Sequence, residues 1–243
     1  MLRTRGAIRE HYTRLEAGLD LWHVYPKAFA CDEFNPNSKG RFSAFAANPP
    51  RAMYYAASTP ECAIWEVVLR MIVPRGPIVS IDETLYSNLH LAHLRLARAL
   101  PMLDLRSPNI RHLSADSKQW SEWQRLAVVA EIEYPLTHVA TAELLEAAPR
   151  AAGIQWPSRQ CVRDTACVLY RTPLLPSDFE ILDEIPLNSP AGLTSIDRAL
   201  RLADLRRAHV GVLAATTARD LAKVNPNDAE SVMPAPDIAD MKR

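Results

Sequence analysis

The chain has 243 residues, of which 48% are apolar and 23% are charged, and its 28 basic residues balance 28 acidic ones. This composition is typical of a globular protein with a substantial core and excludes a largely disordered chain. The balanced charge does not favour direct binding to nucleic acid or to an anionic membrane. No apolar run reaches membrane-spanning length and no signal-peptide pattern is present, so a cytoplasmic location is expected.

The first third of the chain predicts strands and helices around one long polar loop. Thr59 followed by Pro60 supplies an N-cap and a favoured first helical residue. In the helix that follows, Ala63, Val67 and Met71 are predicted to face the core. The predicted elements are a helix at residues 7–17, a strand at 21–26, an irregular loop at 32–51, a strand at 52–57 and a helix at 60–72.

The remainder continues to mix strands and helices without the regular repeat of a doubly wound sheet, which predicts a single α+β domain. No G-x-G-x-x-G or G-x4-G-K-[ST] phosphate loop is present, so neither a Rossmann nor a P-loop site is predicted. The predicted elements are a strand at 77–82, helices at 85–100, 117–132, 137–148 and 193–209, strands at 102–105, 152–156, 165–171 and 179–187, and then a loosely held tail.

Potential metal ligands are present, but their spacing predicts no metal site. His90 and His93 would share one side of the predicted helix at 85–100, yet no third ligand is evident beside them. The cysteines fit neither a C-x-x-C redox pair nor a usual zinc spacing, and we expect reduced core residues. They are Cys31, Cys62, Cys161 and Cys167.

Periodicity alone gives Glu66 and Ser158 no function. With Ala63 and Val67 facing the core, Glu66 falls toward the opposite edge of its helix, one turn before Arg70. That spacing predicts an exposed Glu66–Arg70 pair, which contributes little to stability. Ser158 stands in P-S-R, which is not the G-x-S-x-G turn of a hydrolase nucleophile.

The order of four short motifs resembles the RES-domain family, named for its arginine, glutamate and serine. Each motif alone has low specificity, whereas their order extends over about residues 20–175. The motifs are Gly40-Arg41-Phe42, the strand Met53-Tyr54-Tyr55-Ala56, the helix start Thr59-Pro60-Glu61-Cys62-Ala63-Ile64-Trp65-Glu66, and the turn Trp156-Pro157-Ser158-Arg159.

The resemblance implies a fold similar to ADP-ribosyltransferases and cleavage of the nicotinamide–ribose bond of NAD, which is a substrate and not a bound cofactor. Cleavage of this kind passes through an oxocarbenium-like transition state. The resemblance implies that Glu66 stabilises the developing positive charge and that Arg41 grips the diphosphate. It implies stacking of Tyr55 on nicotinamide and a positioning role for Ser158.

Two positions leave alternatives within this resemblance. His23 stands where many family members carry an arginine, so either the alignment of this strand or one phosphate contact differs from the family. Either Tyr54 or Tyr55 takes the family's tyrosine position, because successive strand residues face opposite sides. The spacing to Glu66 favours Tyr55. The residues expected to bind NAD are therefore Arg41, Tyr54, Tyr55, Ser158 and His23.

The resemblance further implies a toxin silenced by an antitoxin with a helix-turn-helix DNA-binding domain, in a homo-oligomer or a toxin–antitoxin hetero-oligomer. The acceptor of ADP-ribose is open among water, inorganic phosphate and a protein side chain. A protein ADP-ribosyltransferase and a non-catalytic partner-binding module are the alternatives. We expect a helical extension at 1–19, a catalytic domain at 20–187, and a helix with a tail at 188–243, whose leucine stripe packs on the domain or binds a partner.

Overall fold

The computed structural model describes residues 8–161, 163–171 and 174–208. Ten strands and five α-helices are present in this part of the chain. The strands are β1 Thr13–Leu15, β2 Asp20–Pro26, β3 Met53–Ala57, β4 Ile78–Val79, β5 Leu89–Leu96, β6 Leu100–Asp104, β7 Gly153–Pro157, β8 Thr165–Tyr170, β9 Phe179–Pro186 and β10 Arg206–Arg207. The helices are α1 Pro60–Val67, α2 Ile110–Leu113, α3 Ser117–Ala127, α4 Tyr134–Ala147 and α5 Pro190–Arg201.

One eight-stranded sheet forms the centre of the fold, in the order β1-β6-β7-β8-β3-β2-β5-β9. β6 and β7 run parallel, whereas the other neighbours in this sheet run antiparallel. β2 and β3 pair only at Trp22 and Ala57, so the two strands separate beyond that point. This separation opens the middle of the sheet, and a cleft lies beside it.

Helices cover the sheet in a way that confirms a single α+β domain. α3 and α4 contribute Trp123, Leu126 and Leu144 to one apolar cluster, whereas α1 and α5 share another. In that second cluster the indole Nε1 of Trp65 donates a hydrogen bond to the carbonyl of Ala199 at 2.8 Å. Helix α1, which carries the motif from Thr59 to Glu66, is therefore held on its core side by α5.

The predicted N-terminal helix is wrong in the part that the structure describes. Thr13 to Leu15 form an edge strand that pairs antiparallel with β6. Gln155 on β7 donates a hydrogen bond to Oγ1 of Thr13 at 3.1 Å, which ties this strand to the sheet. The helical spacing of the segment is weak, and pairing with a neighbouring strand outweighs it.

The predicted helix at 85–100 is also wrong, because residues 89–96 form β5. The strand carries a bulge between His93 and Leu94, which shifts the alternation of apolar residues by one position. Across the bulge, Leu91 and Leu94 are three residues apart, which is also the spacing of residues on one face of a helix. His93 stacks on Trp22, with ring centroids 4.0 Å apart, whereas His90 contacts Tyr25, so the two histidines do not form a pair.

The ends of several helices also differ from the predictions. α1 begins at Pro60 with Thr59 as its N-cap, as predicted, but it ends at Val67. Val67 and Met71 are exposed, so the predicted core face is wrong at these positions. α3 ends at Ala127 instead of residue 132, and α4 starts at Tyr134.

The C-terminal helix ends at Arg201 and is followed by the short strand β10. Ile196, Ala199 and Leu200 are fully buried against α1, so most of its apolar stripe packs on its own domain. The predicted tail lies outside the described residues. Among the described residues, none of the helices combines the length and apolar character needed to cross a membrane.

Candidate functional site

A cleft of about 730 Å³ lies where β2 and β3 separate. This volume is in the range of sites that bind small molecules. The loop at 35–41 forms one wall, α1 forms another, and Glu131 and Tyr134 lie on a third side. Four of the residues singled out in the sequence line this cleft, namely His23, Arg41, Tyr55 and Glu66.

The Gly-Arg-Phe turn is held in place by α4. The backbone N–H of Phe42 donates to Oγ1 of Thr137 at 3.1 Å, and Nε2 of His138 lies 3.0 Å from the carbonyl oxygen of Gly40. Phe42 is fully buried and has a φ of 57°, a left-handed conformation that is rare for aromatic residues. Such a conformation costs about 1–3 kcal/mol and persists where the surroundings impose it. The contacts with α4 therefore fix the position of Arg41.

Gly40 lies against the ring of Tyr55. A Cβ atom at Gly40 would come within 2.8 Å of Cζ and 2.9 Å of the hydroxyl oxygen of Tyr55. The hydroxyls of Tyr55 and Ser43 lie 2.8 Å apart and share a hydrogen bond. Burial raises the pKa of Tyr55, so the phenol stays neutral at physiological pH. The glycine allows the loop and the ring to approach closely.

The two adjacent tyrosines face opposite sides of β3. Tyr55 lines the cleft, whereas Tyr54 is only 1% exposed and packs against Phe34 and Phe179. The hydroxyl of Tyr54 donates to the carbonyl of Cys31 at 2.6 Å. The structure therefore places Tyr54 in the core and away from the cleft, contrary to its inclusion among the NAD-binding residues.

Glu66 and Ser158 are joined by a short hydrogen bond. Oγ of Ser158 donates to Oε1 of Glu66 at 2.6 Å and accepts from the backbone N–H groups of Gln160 at 3.1 Å and Cys161 at 2.9 Å. Because two N–H groups occupy its lone pairs, the hydroxyl directs its single proton toward the carboxylate. Ser158 is 2% exposed and lies behind Glu66, which faces the cleft. Its contacts are those of a positioning group.

Arg41 lies in the wall of the cleft and is 4% exposed. One terminal nitrogen donates to the carbonyl of Val129 at 2.9 Å. The guanidinium carbon lies 5.4 Å from the ring centre of Tyr134 and 6.0 Å from that of Trp156, distances at which a cation is attracted to an aromatic face. Nε has no hydrogen-bond partner in the described part of the chain. The guanidinium therefore retains donor capacity for an anion.

His23 bridges the gap between the two separating strands. Its Nδ1 lies in hydrogen-bond contact with the backbone carbonyl of Tyr55, so Nδ1 carries the proton. Burial lowers the pKa of His23 to about 4, and the ring is neutral at physiological pH. A neutral histidine cannot supply the positive charge of an arginine at this position. Its contact instead ties β2 to β3 beside the cleft.

Arg70 does not pair with Glu66, which corrects the expected exposed pair. Its Nη1 lies 2.6 Å from Oε1 of Glu131, and both residues line the cleft. α1 thus turns Ala63, Glu66 and Val67 toward the cleft, and Arg70 follows in the turn after the helix, while Ile64 and Trp65 face the core. The sequence analysis took Val67 and Met71 as core residues, and the predicted orientation of α1 about its own axis was therefore wrong.

Several residues of the site were missed by sequence reasoning. Tyr134 and Trp156 line the cleft beside Arg41, and the carbonyl of Val129 binds that arginine. Trp156 immediately precedes the Pro157-Ser158 turn and could have been included with it. Nothing in the local sequence identifies Tyr134 or Val129, because Tyr134 reaches the cleft, and Val129 reaches Arg41, through the packing of α3 and α4.

Comparison with known proteins gives one family. The family model described as "RES domain" matches residues 20–189. No match was found among curated proteins. Among solved structures, the chain is similar to one described as "Crystal structure of the M.tuberculosis MbcT-MbcA toxin-antitoxin complex", at 16% identity and a TM-score of 0.47. That similarity covers 79% of this chain and 92% of the other.

Proposed function

The chain belongs to the RES domain family, and on that premise we propose that it binds NAD in the cleft and cleaves the nicotinamide–ribose bond. The nicotinamide of NAD is cationic and a good leaving group, so the reaction needs neither a metal nor a strong general acid. Its main requirement is stabilisation of the positive charge that develops on the ribose. In this proposal that task falls to Glu66.

The observation that carries the proposal is the 2.6 Å hydrogen bond from Ser158 to Glu66 at the wall of the cleft. A carboxylate that is fixed before the reaction stabilises charge without reorganising during it. One carboxylate oxygen is oriented by Ser158, and the other would hydrogen-bond a ribose hydroxyl or face the oxocarbenium carbon.

Arg41 and Tyr55 would bind the two ends of the substrate. The donors of Arg41 that are not used by Val129 would bind the diphosphate, for which a planar guanidinium is better suited than an ammonium. The ring of Tyr55 would stack on nicotinamide, held by its contacts with Gly40 and Ser43. His23 would position Tyr55 through the backbone and contribute no charge to phosphate binding.

In the cell, the proposed activity would deplete NAD, and the chain would act as a toxin neutralised by a cognate antitoxin. Family membership supports this role, and a helix-turn-helix antitoxin remains part of the proposal. The acceptor of the ADP-ribosyl group is proposed to be water or inorganic phosphate. Transfer to a protein side chain is the alternative reaction on the same scaffold.

The test is to incubate the purified protein with NAD, with and without inorganic phosphate, and to measure nicotinamide and the ADP-ribose product by mass spectrometry. Free ADP-ribose indicates hydrolysis, a phosphorylated product formed only with phosphate indicates phosphorolysis, and labelled protein indicates ADP-ribosyl transfer. Glu66→Ala should lower release by roughly 10²–10³-fold, whereas Glu180→Gln, an exposed change on β9, should not alter it. Absence of nicotinamide release from the wild-type chain would overturn the proposal.

A growth assay tests the cellular role separately. Induction of the wild-type chain should lower cellular NAD and stop growth, whereas induction of Glu66→Ala at the same protein level should do neither. Growth arrest without loss of NAD would indicate a toxin with a different target.

A further inference from the structure

The fold brings together two cysteines that are far apart in the sequence. Cys62 lies in the first turn of α1, and Cys161 follows the Ser158 turn after β7. With the carboxylate of Asp164 they form a cluster in which the ligand atoms all lie within 4.8 Å of one another. We propose that Cys62, Cys161 and Asp164 form a binding site for a thiophilic divalent cation, with Zn²⁺ as the expected ion.

The ligand set and its dimensions suit zinc. With Zn–S bonds of about 2.3 Å and Zn–O bonds of about 2.0–2.2 Å, tetrahedral coordination separates two sulfur atoms by about 3.8 Å and sulfur from oxygen by about 3.5 Å. The ligand atoms all lie within 4.8 Å of one another, so they would need to approach by at most about 1.3 Å to reach these separations. Three protein ligands leave a fourth position for water, and thiolates favour zinc over magnesium or calcium.

Local structure holds each ligand in place. The N–H of Cys62 is bound by the N-cap oxygen of Thr59, which fixes the backbone of this ligand in the first turn of α1. The backbone N–H of Asp164 donates to the carbonyl of Cys161 at 2.8 Å, which closes a turn that carries both ligands. Oγ of Ser58 lies 3.4 Å from the carboxylate of Asp164 and donates to it, as outer partners of metal ligands do.

The two thiols lie close enough to affect each other's ionisation. A hydrogen bond from Cys62 lowers the pKa of Cys161, while the same contact and burial raise the pKa of Cys62. Coordination requires both sulfurs as thiolates, so each thiol would release its proton to solvent as the metal enters. Metal affinity should therefore rise with pH.

Occupation of this site would connect the two elements that meet at Glu66. Cys62 lies one turn before Glu66 on α1, and the N–H of Cys161 donates to Oγ of Ser158 at 2.9 Å. A metal bound between the two sulfurs would hold the Ser158 turn against α1 from behind the cleft. Its expected role is to stabilise this junction, with no part in the reaction itself.

The test is an anaerobic titration of the reduced full-length protein with Co²⁺, followed by displacement with Zn²⁺. One Co²⁺ per chain should bind and produce a thiolate-to-cobalt charge-transfer absorption. Cys62→Ser and Cys161→Ser should lose this absorption, and Asp164→Asn should weaken binding about tenfold or more. Cys31→Ser and Cys167→Ser serve as controls and should bind as the wild type does, because these buried cysteines lie elsewhere.

A measurement on the wild-type protein avoids dependence on variants that fail to fold. X-ray absorption of the zinc-loaded protein should show two sulfur neighbours at about 2.3 Å together with oxygen. A coordination shell without sulfur, or Co²⁺ absorption that persists in the Cys62→Ser/Cys161→Ser double variant, would overturn the site. Formation of a Cys62–Cys161 disulfide on mild oxidation, in a protein that binds no Co²⁺ when reduced, would overturn it in favour of a redox pair.

Discussion

The hydroxyl of Ser158 donates a 2.6 Å hydrogen bond to the carboxylate of Glu66 across 92 residues of sequence. This contact joins the turn after β7 to helix α1, and it lies at the wall of the cleft. Two backbone N–H groups orient the hydroxyl of Ser158, and this hydroxyl in turn holds the carboxylate of Glu66 in place. The two residues therefore act as a pair in which Ser158 positions Glu66.

The first prediction concerns this pair. Glu66→Ala should lower kcat for nicotinamide release by roughly 10²–10³-fold, because a preorganised charge is lost. Ser158→Ala should lower kcat less, by about tenfold, because the carboxylate remains but is less well oriented. Initial rates at saturating NAD check this order, with circular dichroism as the control for folding. A covalent adduct on Ser158, or a larger loss in Ser158→Ala than in Glu66→Ala, would contradict the positioning role.

The second prediction concerns the contact of Gly40 with Tyr55. Gly40→Ala would bring a Cβ atom within 2.8 Å of the tyrosine ring, so the ring or the loop must move. We expect a loss of about 1–3 kcal/mol in the free energy of unfolding, typical of overpacking, and a raised KM for NAD. Urea denaturation and steady-state kinetics measure these effects. Gly76→Ala is the matched control, because nothing lies within 4 Å of a Cβ atom there.

The third prediction separates the two tyrosines. Tyr54→Phe removes a buried hydrogen bond to the carbonyl of Cys31 and should cost about 1–3 kcal/mol of stability without changing KM. Tyr55→Ala should raise KM for NAD roughly tenfold, because stacking on a base is worth about 1–3 kcal/mol. Equal effects of the two changes on KM would contradict the placement of Tyr55 in the substrate cleft and of Tyr54 in the core.

The fourth prediction is a pH dependence of stability caused by His23. Its pKa is about 4 in the folded protein and 6.5 in the unfolded chain, so between these values the unfolded chain binds one proton more. The free energy of unfolding should therefore fall as pH decreases from 6.5 to about 4, by at most about 1.4 kcal/mol per pH unit, with no further loss from His23 below that range.

Urea denaturation at several pH values measures this slope. His23→Gln keeps a donor for the carbonyl of Tyr55 but does not titrate, so its slope should be flatter. His112→Gln, at an exposed position on α2, should keep the slope of the wild type. Asp20 and Asp178, whose pKa values are lowered by arginine partners, lose their stabilising effect below about pH 4, outside this range. An unchanged slope in His23→Gln would assign the effect to another group.

The sequence predicted the α+β class and the elements that carry the site, because these depend on local signals. Thr59 and Pro60 mark the start of α1, and the apolar run at 52–57 marks β3. It failed where long-range packing decides the outcome. The bulge at His93 turns a strand pattern into an apparent helix, and the edge strand at Thr13 is stabilised by a partner far along the chain.

Local sequence motifs also account for the site residues that could be predicted. Arg41, Tyr55 and Glu66 belong to motifs with a recognisable order, and all three line one cleft. The approach of Cys62 to Cys161 could not be predicted, because 98 residues separate them and neither belongs to a ligand spacing. Such a cluster becomes visible only when the turn after β7 is placed beside α1.

The hydrogen bond between Trp65 and Ala199 has a consequence for how far the protein can be shortened. The family match ends at residue 189, immediately before α5 begins. A chain trimmed to that match would uncover the apolar back of α1 and leave the indole N–H of Trp65 without its acceptor. The segment that identifies the family is thus smaller than the segment that must fold, and Glu66 depends on residues beyond the family's boundary.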